Sequence, residues 1–288
     1  MQKARDFIFS TAIYVLTGLV VMVLAFVIYF IVREARPLFR EVPLADFLFG
    51  QRWMPIAYAG EPAYGIGNFI MGTVYVSAVA VTISAIVGVG VAVFLSCIAG
   101  ERTRSLLYPF IDLLAGIPSV IYGFIGLVIL VKFFLKLGHP SGSSVLTAGI
   151  LLAVMLLPYM VSSVSDTLLK LKARYMQPSD ALGIDTWYAV AHVLLPLSGK
   201  SILLSMILAI SRAMGETMAV MMVMGNANIF PHLLGKGETI ASLIALEMGT
   251  AAGGSLHYNA LFAAGLVLMV LLFAINTAIY AIRSKMLG

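Results

Sequence analysis

The sequence predicts an all-α polytopic membrane protein of about six transmembrane helices, and three observations predict it. Hydrophobic residues fill 61% of the 288 positions and charged residues only 11%, less than half of the roughly 25% charged in a soluble globular chain. The apolar residues come in long runs without strict alternation. That pattern selects spanning helices over barrel strands, the two structures that satisfy the backbone in lipid. The basic residues, which give a formal charge of +5, lie mostly in short loops between the runs, so they read as a topology signal rather than a nucleic-acid surface. Cys97 stands alone in an apolar run and His139, His192, His232 and His257 are scattered, so no disulfide framework, metal, cofactor or catalytic cluster is expected.

Taken in order, Lys3 and Arg5 precede an apolar run over about 11–32. It is longer than the roughly 7–15-residue core of a secretory signal, and a retained first helix with its N-terminus inside is expected. Residues 33–67 form an outer loop with Trp53, Tyr58 and Tyr64 and four arginines (Arg33, Arg36, Arg40, Arg52). Those arginines run against the positive-inside expectation; the loop is kept outside because the reverse would put residues 166–200 outside as well. A second span over about 68–98 carries Gly72, Gly88 and Gly90 for close helix approach and ends in a short basic loop at 101–104. A third, about 106–135, contains Gly116-Ile117-Pro118, where proline is expected to kink the helix and free a carbonyl, for packing or for function. Asp112 is expected at the interface, within reach of Arg102 or Arg104. The remaining spans fall at about 145–165, 202–226 and 259–282, with Arg283 and Lys285 closing the chain inside. The whole of 1–288 reads as one transmembrane domain with both termini cytoplasmic.

The stretch 180–201 is the longest polar-bearing interruption in the second half. Its pattern predicts a short helix from about Pro178, a sharp turn at Gly183, a second helix capped by Asp185, and a stop at Pro196, with Trp187, Val193 and Leu195 packed on the bundle. Gly183, Val193, Leu195 and Pro196 stand at the offsets of the cytoplasmic coupling motif of ATP-binding-cassette importers: Glu-Ala-Ala, three residues, Gly, nine residues, Ile, one residue, Leu-Pro. The chain thus resembles the permease subunits of those transporters, of type I architecture, and departs from them at Gln177-Pro178-Ser179. The resemblance implies an ATPase docking surface at Asp180, Ala181, Leu182, Gly183, Asp185, Val193, Leu195 and Pro196. Gly199-Lys200-Ser201 imitates the end of a phosphate-binding loop, but Leu194 stands where its first glycine belongs.

Two charges fall within the fifth span, Arg212 and Glu216. Each costs about 2.5–3.5 kcal/mol at a helix centre, and four residues apart they share a face and can pair. From the residues alone, this pair either locks helices together or lines a path. Arg212-Ala213-Met214-Gly215-Glu216-Thr217-Met218-Ala219-Val220 followed by Gly225-Asn226 is similar to the phosphate importer permeases called PstC. So are 47–55, Met71-Gly72-Thr73 and 115–123. That resemblance implies an inner-membrane, non-catalytic subunit with Arg212 and Glu216 on the phosphate path. The implied partners are a PstA-like second permease, a PstB-like ATPase dimer and a PstS-like extracytoplasmic phosphate-binding protein. Two alternatives stay open: a permease of this architecture for sulfate or molybdate, and a stand-alone secondary transporter, which inverted repeats and paired broken helices would favour.

Overall fold

The computed structural model describes residues 2–56 and 61–287, with side chains over 9–56 and 61–281. Tyr58 and the side chains of Lys3, Arg5, Arg283 and Lys285 lie outside the described residues. Helix α1 (Gln2–Ala35) leads into two short helices, α2 (Leu38–Glu41) and α3 (Leu44–Phe49), and an antiparallel ribbon of β1 (Trp53–Met54) and β2 (Ala63–Tyr64). There follow α4 (Gly67–Val93) with a π-helical turn at Phe94–Ile98, then α5 (Glu101–Gly116) and α6 (Ser119–Ile125). A π turn at Gly126–Val131 joins α6 to α7 (Lys132–Lys136). The second half holds α8 (Val145–Ala181), α9 (Thr186–Ala189) with a π turn at Val190–Leu194, α10 (Leu195–Gly215), α11 (Met218–Val223), α12 (Ile240–Glu247) and α13 (Leu256–Leu287). Among the described residues six helical stretches are long and apolar enough to cross a membrane.

The core is α4 against α8. Val145, Ala148, Leu152, Met155 and Leu156 of α8 are buried at three- and four-residue spacing, the stripe expected of a helix covered on one side. Lipid supplies no hydrophobic drive between helices, so they are held largely by van der Waals contact, which close approach increases. A Cβ on Gly88 would lie 2.7 Å from Cβ of Met160, and one on Gly149 2.4 Å from a methyl of Val79. Gly90, expected to serve the same purpose, faces open space. The loop 33–67 is not loose: Leu38, Phe47, Trp53, Tyr64 and Phe69 form one cluster with Ile240, Leu243 and Leu261 of α12 and α13. We call this side the hairpin end, and the side carrying the turn at Gly183 the elbow end.

Two spans differ from expectation by being broken. The run 106–135 is not one helix: α5 stops at Gly116, Ile117 and Pro118 are extended (ψ 126° and 142°), and α6 starts anew. The residue before a proline avoids the helical region and the proline has no N–H to give, so the kink becomes a break. The carbonyl it frees, on Leu114, accepts a 2.8 Å hydrogen bond from the Tyr122 hydroxyl. None of α5 is buried, and it stands as a separate helix ahead of the span. Asp112 is exposed on it, while Arg104 approaches Glu101 at 3.9 Å instead. The run 202–226 likewise divides, α10 ending at Gly215 with Glu216 extended (ψ 124°) before α11.

Candidate functional site

Arg212 lies in the last turn of α10, exposed on the chain's surface, where its Nη1 donates a 2.7 Å hydrogen bond to the hydroxyl of Tyr159. The guanidinium also sits 4.5 Å from the centre of the Tyr159 ring, a cation–π stack that fixes its plane. The expected pairing with Glu216 does not form: none of the three ion pairs among the described residues includes either side chain. The reason is local. Four-residue spacing brings side chains together only on a continuous helix, and the helix ends between them. Glu216 turns the other way, its Oε1 accepting from the backbone N–H of Ala219 at 3.2 Å and so capping α11.

The halves that follow the two breaks lie against each other. Gly123 of α6 sits so close to α11 that a Cβ there would be 2.6 Å from the Met222 sulfur and 3.1 Å from Cα of Ala219. Arg212 and Glu216 thus flank one interruption, and the extended residues 117–118 mark a second ahead of the span that packs on it. Both interruptions lie at the ends of the candidate spans Ser119–Lys136 and Thr186–Gly215 rather than within them, so they are not the paired broken helices that would favour a stand-alone transporter. A cation in a spanning helix is costly facing lipid, so an exposed Arg212 faces water or another chain. One sizeable hollow among the described residues does not hold the site. It is an apolar groove of about 830 Å³ between α3, the first turns of α4 and α13, lined by Phe39, Leu48, Phe49, Ile70 and Val267, and it offers an anion little.

At the elbow, α8 is one helix of 37 residues reaching Ala181, so the expected fourth span at 145–165 and the short helix from Pro178 are parts of a single rod, with Asp180 and Ala181 in its last turn. Gly183 has φ +70°, a conformation that suits glycine alone. Asp185 Oδ2 accepts from the N–H of Trp187 at 2.9 Å, capping α9 as expected. Pro196 does not stop a helix. It sits in the first turn of α10, where its missing N–H is tolerated because the π turn 190–194 resets the bonding. The packing residues are also shifted: Ala189, Val190 and Leu194 are buried against Ala92, Cys97, Val164 and Leu168, whereas Val193 and Leu195 are only half-buried. Trp187 is 62% and Leu182 77% exposed, so the elbow presents apolar side chains outward rather than to the bundle.

A polar cluster at the hairpin end was not anticipated. Glu247 Oε2 accepts from Trp53 Nε1 at 2.9 Å and lies 2.8 Å from His257 Nε2, joining β1, α12 and α13. Glu238, 8% exposed, has its carboxyl pushed up to about 7 by burial and, second, by the charge of Glu247. The ten-residue gap between Glu247 and His257 spans a turn, and Trp53 is far off in sequence, so no periodicity could announce the group.

Comparison with known proteins places this architecture. Residues 88–287 match the family described as binding-protein-dependent transport system inner membrane component. The chain is 36% identical over 242 residues to the probable ABC transporter permease protein YqgH of Bacillus subtilis, covering 83% of this chain and 78% of that one. It is 34% identical over 251 residues to the phosphate transport system permease protein PstC of Xylella fastidiosa (80% and 76% covered), and 32% identical over 296 residues to the probable PstC of Methanocaldococcus jannaschii (96% and 92% covered). Among solved structures, the inward-facing MetNI methionine ABC transporter shares the fold, with TM-score 0.58 and 19% identity over 74% of this chain and 92% of that one. With six membrane-crossing helices and an elbow between α8 and α10, this chain belongs to the family of inner-membrane permeases of binding-protein-dependent transport systems.

Proposed function

We propose that this chain is the permease subunit of an ATP-driven phosphate importer. All of 1–288 acts as one transmembrane permease domain, with both termini and the 166–200 segment cytoplasmic and the 33–67 segment outside. It forms half of the pathway beside a PstA-like permease. A dimer of PstB-like ATPases seats on the elbow, and a PstS-like protein delivers phosphate to the hairpin end. The chain performs no catalysis of its own, since ATP is hydrolysed by the partner. The phosphate reading draws on relatives named for phosphate transport, and one observation carries it to a residue: the exposed Arg212, held flat by Tyr159 and free of any carboxylate partner among the described residues.

The chemistry follows from that geometry. A guanidinium has five N–H donors in a fixed fork that matches two oxygens of a tetrahedral oxyanion. One of them is occupied by Tyr159, which leaves donors for a passing anion. Glu216, at the break and tied to α11, limits how long the anion stays by its charge, since conduction needs a site that is weak as well as selective. On the elbow, Leu182, Trp187 and Tyr188 form the exposed apolar contact for the ATPase, with Asp180, Ala181, Gly183, Asp185, Val193, Leu195 and Pro196 setting its shape. Arginine alone does not separate phosphate from sulfate or molybdate, so the deciding experiment is uptake. The complete transporter in vesicles should accumulate radiolabelled phosphate on ATP addition, and Arg212→Gln should abolish this at equal amounts of assembled complex. Accumulation of sulfate and not phosphate would overturn the substrate.

A further inference from the structure

Helix α4 is tied at both of its ends, at one to α8 near the elbow and at the other to the start of α12. At the elbow end it finishes in the π turn Phe94–Ile98, which leaves carbonyls without helical partners. The Lys172 ammonium, on the part of α8 that runs on toward the elbow, donates to two of them, Ser96 O and Cys97 O, each at 3.1 Å. An ammonium there also meets the negative end of the helix dipole. Around it, Ala92 and Cys97 of the α4 segment pack with Leu168, Ala189, Val190 and Leu194, so elbow, α8 and α4 meet at one joint. At the hairpin end, Thr73 Oγ1 accepts from the N–H of Ile240, the first residue of α12, at 3.1 Å. One residue away, Gly72 touches the carbonyl of Glu238 so closely that a Cβ would come within 2.2 Å of it. The 24 steps from Thr73 to Cys97 make a rod of about 36 Å, pinned to α8 midway at Gly88.

We propose that Lys172 is a positioning residue of energy coupling: it fastens the elbow to α4, and α4 carries the elbow's displacement to the N-terminus of α12 at the opposite end. The inference rests on the reading of the elbow as the ATPase seat. Its test is the number of phosphate ions moved per ATP hydrolysed by the complete transporter in proteoliposomes, a ratio that mere loss of protein would not change. Lys172→Met should lower the ratio by roughly 2–30-fold while ATP hydrolysis continues, and Lys172→Arg, which keeps the donor and the charge, should restore it. Thr73→Val, at the far end, should lower it too, and the double variant should be no worse than the poorer single one, as for two sites on one route. Should Lys172→Met fail to assemble, Thr73→Val decides alone. An unchanged ratio in whichever variant assembles, or losses that multiply in the double variant, overturns the inference. Failure of the unmodified transporter to move phosphate on ATP would instead strike the proposed function.

Discussion

Arg212 owes its orientation to a residue 53 positions away. Tyr159 holds it both by hydroxyl and by ring, so Tyr159→Phe should keep the stack, lose the hydrogen bond and weaken phosphate uptake by roughly 2–13-fold, the worth of one net hydrogen bond; a concentration series of uptake rates measures it. Glu216 admits a cleaner dissection. Glu216→Gln retains an oxygen for the Ala219 N–H and removes only the charge, whereas Glu216→Ala also uncaps α11. If the charge governs release, Gln and Ala should impair specific uptake alike; if the cap matters, only Ala should lose assembled complex. Glu238 gives a pH prediction with a definite sign. Its folded carboxyl is raised to about 7 from 4.5, so the stability it contributes is full below the unfolded value and is lost as pH rises toward and through 7. Glu238→Gln should flatten that fall and raise the thermal midpoint at pH 8 relative to the unmodified protein. Of these residues Arg212 and Glu216 were legible from sequence, because charges are expensive in lipid and so are conspicuous. Tyr159 and the Glu247–His257–Trp53 group were not, since nothing local marks a tyrosine in an apolar run or a contact between distant segments.

The elements divide by how locally they are determined. Asp185 as a cap and Gly183 as the turn are decided within a few residues, and both were legible. The break at 117–118 was read as a kink and the break at 216–217 as continuous helix, because the second has no proline and is set by what α11 packs against. Gly183 makes the sharpest test at this scale. Its φ of +70° is far from the −65° that proline imposes, and its N–H donates to Asp180 O at 3.0 Å. Gly183→Pro should leave the six spans inserted but remove ATP-driven uptake, measured per assembled complex, while the ATPase subunits still bind nucleotide.

At the scale of the molecule, the count of six spans was legible from hydropathy alone, but their limits were not: charges at 170–174 suggested that the fourth span ended near 165, whereas α8 continues to Ala181. A helix can leave the bilayer without ending, and hydropathy reports only the bilayer. In the proposed function, an Arg212 exposed on the surface of one chain needs a second chain to complete the path, so the chain purified alone should bind phosphate no more tightly than the millimolar range; equilibrium dialysis checks this, and micromolar binding would favour a stand-alone transporter.

The first helix has its own history. Every side chain of α1 from Phe9 to Tyr29 is exposed, and its last turns reach α13 through Phe30 and Phe262. During synthesis those two rings are separated by more than two hundred residues, on the order of 10–50 s of translation at about 5–20 residues per second. For that interval α1 must remain in the bilayer unaided. Its apolar run, the most hydrophobic of the six candidate spans, meets this need: the segment that waits longest for a neighbour is the one whose residence in lipid depends least on having one.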